Sequence, residues 1–392
     1  MSNDPDQEYF VDGITDDLTT DLSRISGSFV IARNTAFTYK GKPVDAKQIG
    51  RKLGVRYVLE GSVRRAADNV QVNVQLIDAT TGGHLWADRF DTERANLAAA
   101  QTQITGRLAQ TLGVELIRAE ERRIEADTVS PDARDLVMRG WAWSYKPKSA
   151  ETLQQKQRFF EQALEIDPRS VDARIGIART LIEKIGDTIH SSAPEDTARA
   201  EQLLLEAMEY DPNRSAAHEA MGFLRRIQGG RLSESRMEHE TALALDPNNL
   251  AAVRQLGWTL LHLGEPDAAI AQAEKTLRLS PRDPLIWSVY GLLGWRHLVS
   301  NRVDEAIDFL IKSRATNPRV WWVHYGLAGA LGLKGNYEEG KTALAESVKL
   351  RPEINSLAQY YAIRPWHSSP QYYALEDKTA IEGLRRIGFP EK

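Results

Sequence analysis

The chain has 392 residues, of which 42% are apolar and 27% charged, with a formal net charge of −4. That balance excludes wholesale disorder and predicts two or three folded domains, and the slight acidity gives no electrostatic reason to bind nucleic acid directly or an anionic membrane. Cysteine is absent, which excludes disulfides, thiolate catalysis and Cys-ligated metals.

Taken in chain order, Ile14, Leu18 and Leu22 fall on one face of a first helix, with Thr15 as its N-cap and Asp16 and Asp17 in its first turn. The run Ser28 to Asn34 reads as a short buried strand, and Val44, Ile49 and Leu53 line a second helix that stops at Gly54. Val55 to Arg65 and Asn69 to Asp78 form a hairpin. In its second strand Val70, Val72, Val74 and Leu76 alternate with polar residues, as burial on one side requires. A Thr-Gly-Gly turn leads to the strand His84 to Phe90, and Leu97, Ile104, Leu108 and Leu112 mark a closing helix. The expectation is a small α/β domain, a mixed sheet with helices, over residues 1–117. The segment 118–130 is dense in both charge signs and reads as a solvated linker or helix extension.

From Pro131 the pattern becomes helical and repetitive. Segments end at Pro168, Pro212, Pro247, Pro281, Pro318 and Pro352, spaced by 44, 35, 34, 37 and 34 residues, which is the period of a helix-turn-helix repeat. Ten residues after the first five of these prolines stands a small residue: Ala178, Gly222, Gly257, Gly291 and Ala328. Two helices that pack closely need a small side chain where their backbones approach. Gly229, Gly264 and Gly335, seven residues further on, suit a left-handed helix end. Ala269 and Ala306 supply close packing in second helices, and the 44-residue spacing predicts a loop insertion at His190 to Asp196.

This pattern resembles the tetratricopeptide family over residues 131–352, with six units of which the first is degenerate. Residues 353–392 form a capping segment, whose final helix, Asp377 to Ile387, turns Ile381 and Leu384 inward. The resemblance implies an all-α superhelix that binds a protein or peptide partner on its concave face. Carried over by register, the groove residues are Glu219, Phe223, Arg226, Arg254, Trp258, His262, Trp295, Arg296, Trp322 and Tyr325. Aromatics interleaved with arginine suit an interface anchor. Large aromatics also suit the gaps between hairpins, so each Trp has two readings.

The first 117 residues resemble the TolB N-terminal-like domain, through DPDQEYFVDGITDDLTTDLSRI, FVIARNTAFTYKGKPVDAKQIGRKLGVRYVLEGSVRR and QLIDATTGGHLWADRFD. In many proteobacterial proteins that module sits between a class III adenylate/guanylate cyclase domain and tetratricopeptide repeats. It also follows winged-helix DNA-binding domains. Members of the family carry an apolar strand before the segment matching Asn3-Asp4-Pro5, and here Met1 falls where that strand ends. The resemblance therefore implies an incomplete sheet through which two copies could pair.

No catalytic, cofactor or metal residues are assigned. The string Gly335 to Thr342, GNYEEGKT, matches a phosphate-loop pattern. A repeat helix precedes it rather than a strand, and Glu338 and Glu339 would face the phosphates. The histidines are scattered without metal-ligand spacing. No apolar run nears the ~20 residues that span a bilayer, and the acidic N-terminus lacks the pattern of a signal peptide. The reading is a cytoplasmic, non-enzymatic scaffold without cofactor. Its alternatives are the regulatory half of an adenylate cyclase or of a winged-helix transcriptional regulator.

Overall fold

Strict alternation in Asn69–Asp78 places Val70, Val72, Val74 and Leu76 on one face, and all four are buried in the computed structural model. The structure describes residues 14–15, 18–19, 21–22, 30–31, 35–36, 38–66, 69–93, 104–109, 111–116, 132–144, 146, 149–187, 193–279, 283, 285–363 and 368–392. The expected strand at Ser28 to Asn34 and the charged linker lie wholly or mostly outside them, as does the acidic first turn at Asp16 and Asp17. The chain divides into two compact units, Met1–Ser144 and Tyr145–Lys392.

In the first unit, helix α1 (Ala46–Leu53) begins with Asp45 accepting a hydrogen bond from the Lys47 amide and ends at left-handed Gly54. Strands β1 (Tyr57–Ala66), β2 (Asn69–Asp78) and β3 (His84–Glu93) form a sheet in the order β1-β2-β3. Both pairings are antiparallel, so among the described residues the sheet is antiparallel rather than mixed. An irregularity between Leu76 and Ile77 shifts the β2–β3 register. The buried face of β2 packs with Phe90 of β3 and with Ile14, Leu18, Ile104, Leu108 and Leu112, the apolar residues expected to line the flanking helices. Helix α2 (Ala133–Trp143), expected as the start of the degenerate repeat, groups with this unit, and its Asp135 pairs with Arg56 at 2.9 Å.

The second unit opens with α3 (Ala150–Ile166), whose first turn is closed by a capping box between Ser149 and Thr152. Five helix pairs follow: α4 (Val171–Asp187) with α5 (Ala193–Tyr210), α6 (Ser215–Ile227) with α7 (Leu232–Leu245), α8 (Leu250–Leu263) with α9 (Pro266–Leu279), α10 (Ile286–Val299) with α11 (Val303–Thr316), and α12 (Trp321–Lys334) with α13 (Tyr337–Leu350). Each pair packs on the next, as a helical solenoid requires.

Gly229, Gly264 and Gly335 have φ of 72°, 86° and 90°, which ends the first helix of their hairpins as expected. The small residues do what their spacing implies. A Cβ at Gly222 would meet the His239 ring at 2.6 Å, one at Gly257 would meet Leu292 at 2.6 Å, and one at Gly291 would meet Trp322 at 2.6 Å. The extra residues of the 44-residue spacing differ from expectation. Ala193 to Asp196 belong to α5 rather than to a loop. Pro194 sits in a first turn, where its missing N–H costs nothing, and Glu195 and Asp196 favour the helix N-terminus. The phosphate-loop-like string is the left-handed cap at Gly335 followed by the start of α13.

The chain ends in α14 (Leu357–Ile363) and a helix running from Pro370 to Arg386: α15 (Pro370–Glu376), a π-helical turn (Asp377–Ile381) and α16 (Glu382–Arg386). Its Ile381 and Leu384 are fully buried, as expected.

Candidate functional site

The first helix of each hairpin supplies the inner wall. Relative to the small residue of each repeat, the next position is Arg179 on α4, Phe223 on α6, Trp258 on α8, Leu292 on α10 and Gly329 on α12. Three residues later come Ile182, Arg226, Leu261, Trp295 and Gly332. Bulk and charge on the early hairpins thus give way to glycine on the last.

The terminal helix lies where the glycines are. A Cβ at Gly329 would stand 2.7 Å from the Ala380 carbonyl oxygen and 3.0 Å from its Cα, and a Cβ at Gly332 would overlap the Gly383 carbonyl. In return, a Cβ on Gly383 would overlap the Gly329 carbonyl. Two backbones therefore meet with no side chain between them. Tyr372, Ala380, Ile381, Leu384, Ile387 and Phe389 join one continuous core with α8, α10 and α12. The last residues are pinned as well: the Leu357 amide donates to the Pro390 carbonyl at 2.8 Å and the Ala358 amide to the Glu391 carbonyl at 3.0 Å. The chain's own tail occupies the inner wall of the last hairpins.

This corrects much of the groove expected from sequence. Tyr325 is buried, stacked on Tyr360 with ring centroids 4.5 Å apart and edge-on to Phe389 at 6.0 Å. His262 shares a hydrogen bond with Ser368 at 2.7 Å, its carbonyl accepts from the Ser369 amide at 2.8 Å, and its ring faces Tyr372. Trp295 fills the space left by Gly326 and donates to the Trp322 carbonyl at 3.3 Å. Trp322 fills the space left by Gly291 and meets Trp258 edge-on at 5.1 Å. Trp258 donates to Ser288 at 3.0 Å. Arg296 is buried and pairs with Asp267 at 2.6 Å. Glu219, fully buried, accepts from Arg179 at 2.6 Å. Trp295 and Trp322 fill seams between hairpins because the glycine opposite each leaves a ring-sized gap, and Trp258 and Tyr325 pack against other rings. They serve the core rather than an open groove.

Three of the expected residues stand apart. Phe223 and Arg226 are half-buried, with the guanidinium 4.9 Å over the phenyl ring and donating to Gln255 on α8 at 2.8 Å. Arg226 Nε is buried without a partner, and burial pulls this side chain down to about 10, against which the Glu219 charge acts. Arg254 is only 6% exposed, and its side chain makes no hydrogen bond or ion pair with any described residue. The tail meets α8 at His262 and Gly264, in its last turn. Arg254 lies eight residues earlier, ~12 Å along the helix.

Sequence reasoning missed Gln255, which links α6 to α8, and His239, whose buried ring fills the space left by Gly222. Neither His239 nitrogen has a partner, and burial, reinforced by the Arg226 and Arg179 charges, drops it to about 3. The tail's docking site was also missed, although Gly329 and Gly332 in one helix and Ala380 and Gly383 in another were its signal. Among the described residues no cluster of His, Asp or Glu is placed to hold a metal ion, and no helix is long and apolar enough to cross a membrane.

The second unit is a tetratricopeptide-like helical superhelix, and the family model described as tetratricopeptide repeat matches residues 226–293. Over 232 residues the chain is 40% identical to a Rhizobium meliloti (strain 1021) protein named "Putative adenylate cyclase 3". That match takes in 58% of this chain and 39% of the relative, so the chain spans about two fifths of that protein's length. Among solved structures, the human IFIT1 dimer with m7Gppp-AAAA is similar at TM-score 0.51 and 14% identity, covering 76% of this chain and 69% of that one. The APC/C hetero-tetramer Cut9-Hcn1 is similar at TM-score 0.49 and 16% identity, covering 68% and 48%. Arrays of this kind are typically non-enzymatic and bind peptides or proteins along extended concave surfaces.

Proposed function

We propose that the chain is a non-catalytic regulatory scaffold that holds a peptide segment of a partner protein against the inner wall of α4, α6 and α8. One observation carries this reading. Phe223 and Arg226 sit on α6 and Arg254 on α8, where Arg254 stands ~12 Å along the helix from the tail's hold at His262. An aromatic beside an arginine, as Phe223 is beside Arg226, is the composition of an interface anchor.

A displayed library of random 16-residue peptides, panned on the full chain, tests it. Enrichment, with photo-cross-linking from a probe placed at Phe223, is the expected result. An unenriched library, or cross-links that avoid this wall, would refute the scaffold.

A second reading is favoured by the 40% identity to a protein named as an adenylate cyclase. In it the TolB-like unit and the array form the regulatory half of a cytoplasmic cyclase, and the peptide held on the wall belongs to the signalling partner.

A further inference from the structure

We propose that two copies of this chain join through the outer faces of different hairpins, with Leu205, Glu209 and Asp211 of one copy against Ile311, Arg314 and Arg319 of the other. The contact lies on second helices, away from the inner wall, so it stands apart from the peptide reading.

Register singles out the two faces. Leu205 on α5 and Ile311 on α11 each stand seven residues before the proline that closes their hairpin, Pro212 and Pro318. The same position holds Glu161, Glu240 and Glu274 in three other repeats and Ala345 in the last. Leu205 is 55% exposed and Ile311 is 40% exposed. Single exposed apolar side chains are ordinary on a folded protein. These two depart from a position that otherwise carries an acid or a small residue, and each has charge beside it.

Those charges are of opposite sign. Glu209 lies one turn beyond Leu205 on the same face of α5, and Asp211 follows in the turn. Arg314 lies one turn beyond Ile311 on α11, and Arg319 follows Pro318. None of the four forms an ion pair with a described residue. The cations around the first face are engaged elsewhere: Arg174 meets Glu206 at 2.9 Å, Arg214 meets Asp172 at 2.5 Å and Arg169 lies over the Tyr210 ring. The acids of α11 lie in its first half, with Asp308 six residues before Arg314, ~9 Å along the helix.

Two hairpins, α6–α7 and α8–α9, separate these faces, so they cannot meet within one copy. Between copies, guanidinium groups would take carboxylates at the rim while Leu205 against Ile311 excludes water. Because the two faces differ, the contact is heterologous, and each copy offers one face to either side.

Sedimentation velocity of the full chain tests it. The weight-average sedimentation coefficient should rise with protein concentration at low salt and fall when salt is added. Leu205→Glu and Ile311→Glu should each stop the rise and leave the helical circular dichroism unchanged, since both side chains are exposed. An equimolar mixture of the two variants should form a dimer and nothing larger, because each keeps the face the other has lost. Asp211→Arg and Arg319→Glu should each weaken association about threefold, the size of an exposed ion pair, and the two together in one chain should restore it. A chain that stays monomeric at every concentration would overturn the pairing and leave both faces to other proteins. Association that survives both glutamate variants would place the contact elsewhere, the sheet of the first unit included, and overturn it too. A mixture that stays monomeric, or that builds larger species, would refute the exchange of faces.

Discussion

Substituting Gly332 by Ala adds one methyl where α12 and the terminal helix meet backbone to backbone. That methyl would overlap the Gly383 carbonyl, and a carbonyl of a buried helix cannot rotate away as a flexible side chain would. The terminal helix has to retreat by about 1 Å, a gap that forfeits a quarter to a half of the dispersion attraction between the facing atoms. Overpacking of this sort costs about 3 kcal/mol at the upper end, and alanine in place of helical glycine returns about 1 kcal/mol, leaving a net loss near 2 kcal/mol. The loss falls on opening of the tail, so hydrogen exchange at the amides of Ile381, Leu384 and Ile387 should accelerate about thirtyfold. The Leu357 and Ala358 amides, which donate to the Pro390 and Glu391 carbonyls, should speed up with them. Gly186→Ala is the control, because a Cβ there meets nothing within 4 Å and the tail should not respond. Equal exchange of the tail in both variants would refute the close crossing of helices and with it the occupied inner wall.

Two further outcomes are expected from the buried charges. His239 is held at about 3 against an ordinary 6.5, so its neutral form is part of the fold. Because the folded value is depressed, that contribution is complete above pH 6.5 and is lost as pH falls toward 3, amounting to about 3 kcal/mol by pH 4. His218 works in the opposite sense, since its hydrogen bond to Glu238 raises it and its contribution fades as pH climbs. The difference in urea midpoint between the natural chain and His239→Gln isolates the first effect, and a difference that does not vary from pH 7 to pH 4 would contradict the burial argument. Lys156 is 1% exposed and held by Glu183 at 2.9 Å. Glu183→Leu alone should cost about 3 kcal/mol by taking this carboxylate from a buried cation, and Lys156→Met with Glu183→Leu should recover most of it in chemical denaturation. A double variant no better than the single would argue that the pair holds α3 to α4 by charge.

The inner wall was harder to read than the hairpins, for a reason visible in single residues. Trp295 and Trp322 have the side chains of interface anchors and also those of seam fillers. What decides between the two is the glycine on the neighbouring helix, Gly326 for one and Gly291 for the other. The groove expected around His262 and Tyr325 is occupied because Ser368, Tyr372 and Phe389, far along the chain, come back onto it. No periodicity reports such a return. Arg254 was legible as a wall residue, but its lack of a partner was not, because pairing is a property of neighbours in space.

The amino-acid sequence by itself determined the elements whose causes are local. Alternating valines made β2, a proline period near 34 residues with small residues at a constant offset made the helix pairs, and left-handed glycines ended their first helices, since each of these depends on residues within one strand, one helix or adjoining hairpins. Tertiary structure alone decided where the terminal helix docks, which aromatics serve the core and which arginine is left without a counter-charge. Those outcomes depend on complementary surfaces brought together across long separations, 106 residues in the case of His262 and Ser368. At such range, shape and charge choose the partner, and sequence spacing carries no record of the choice.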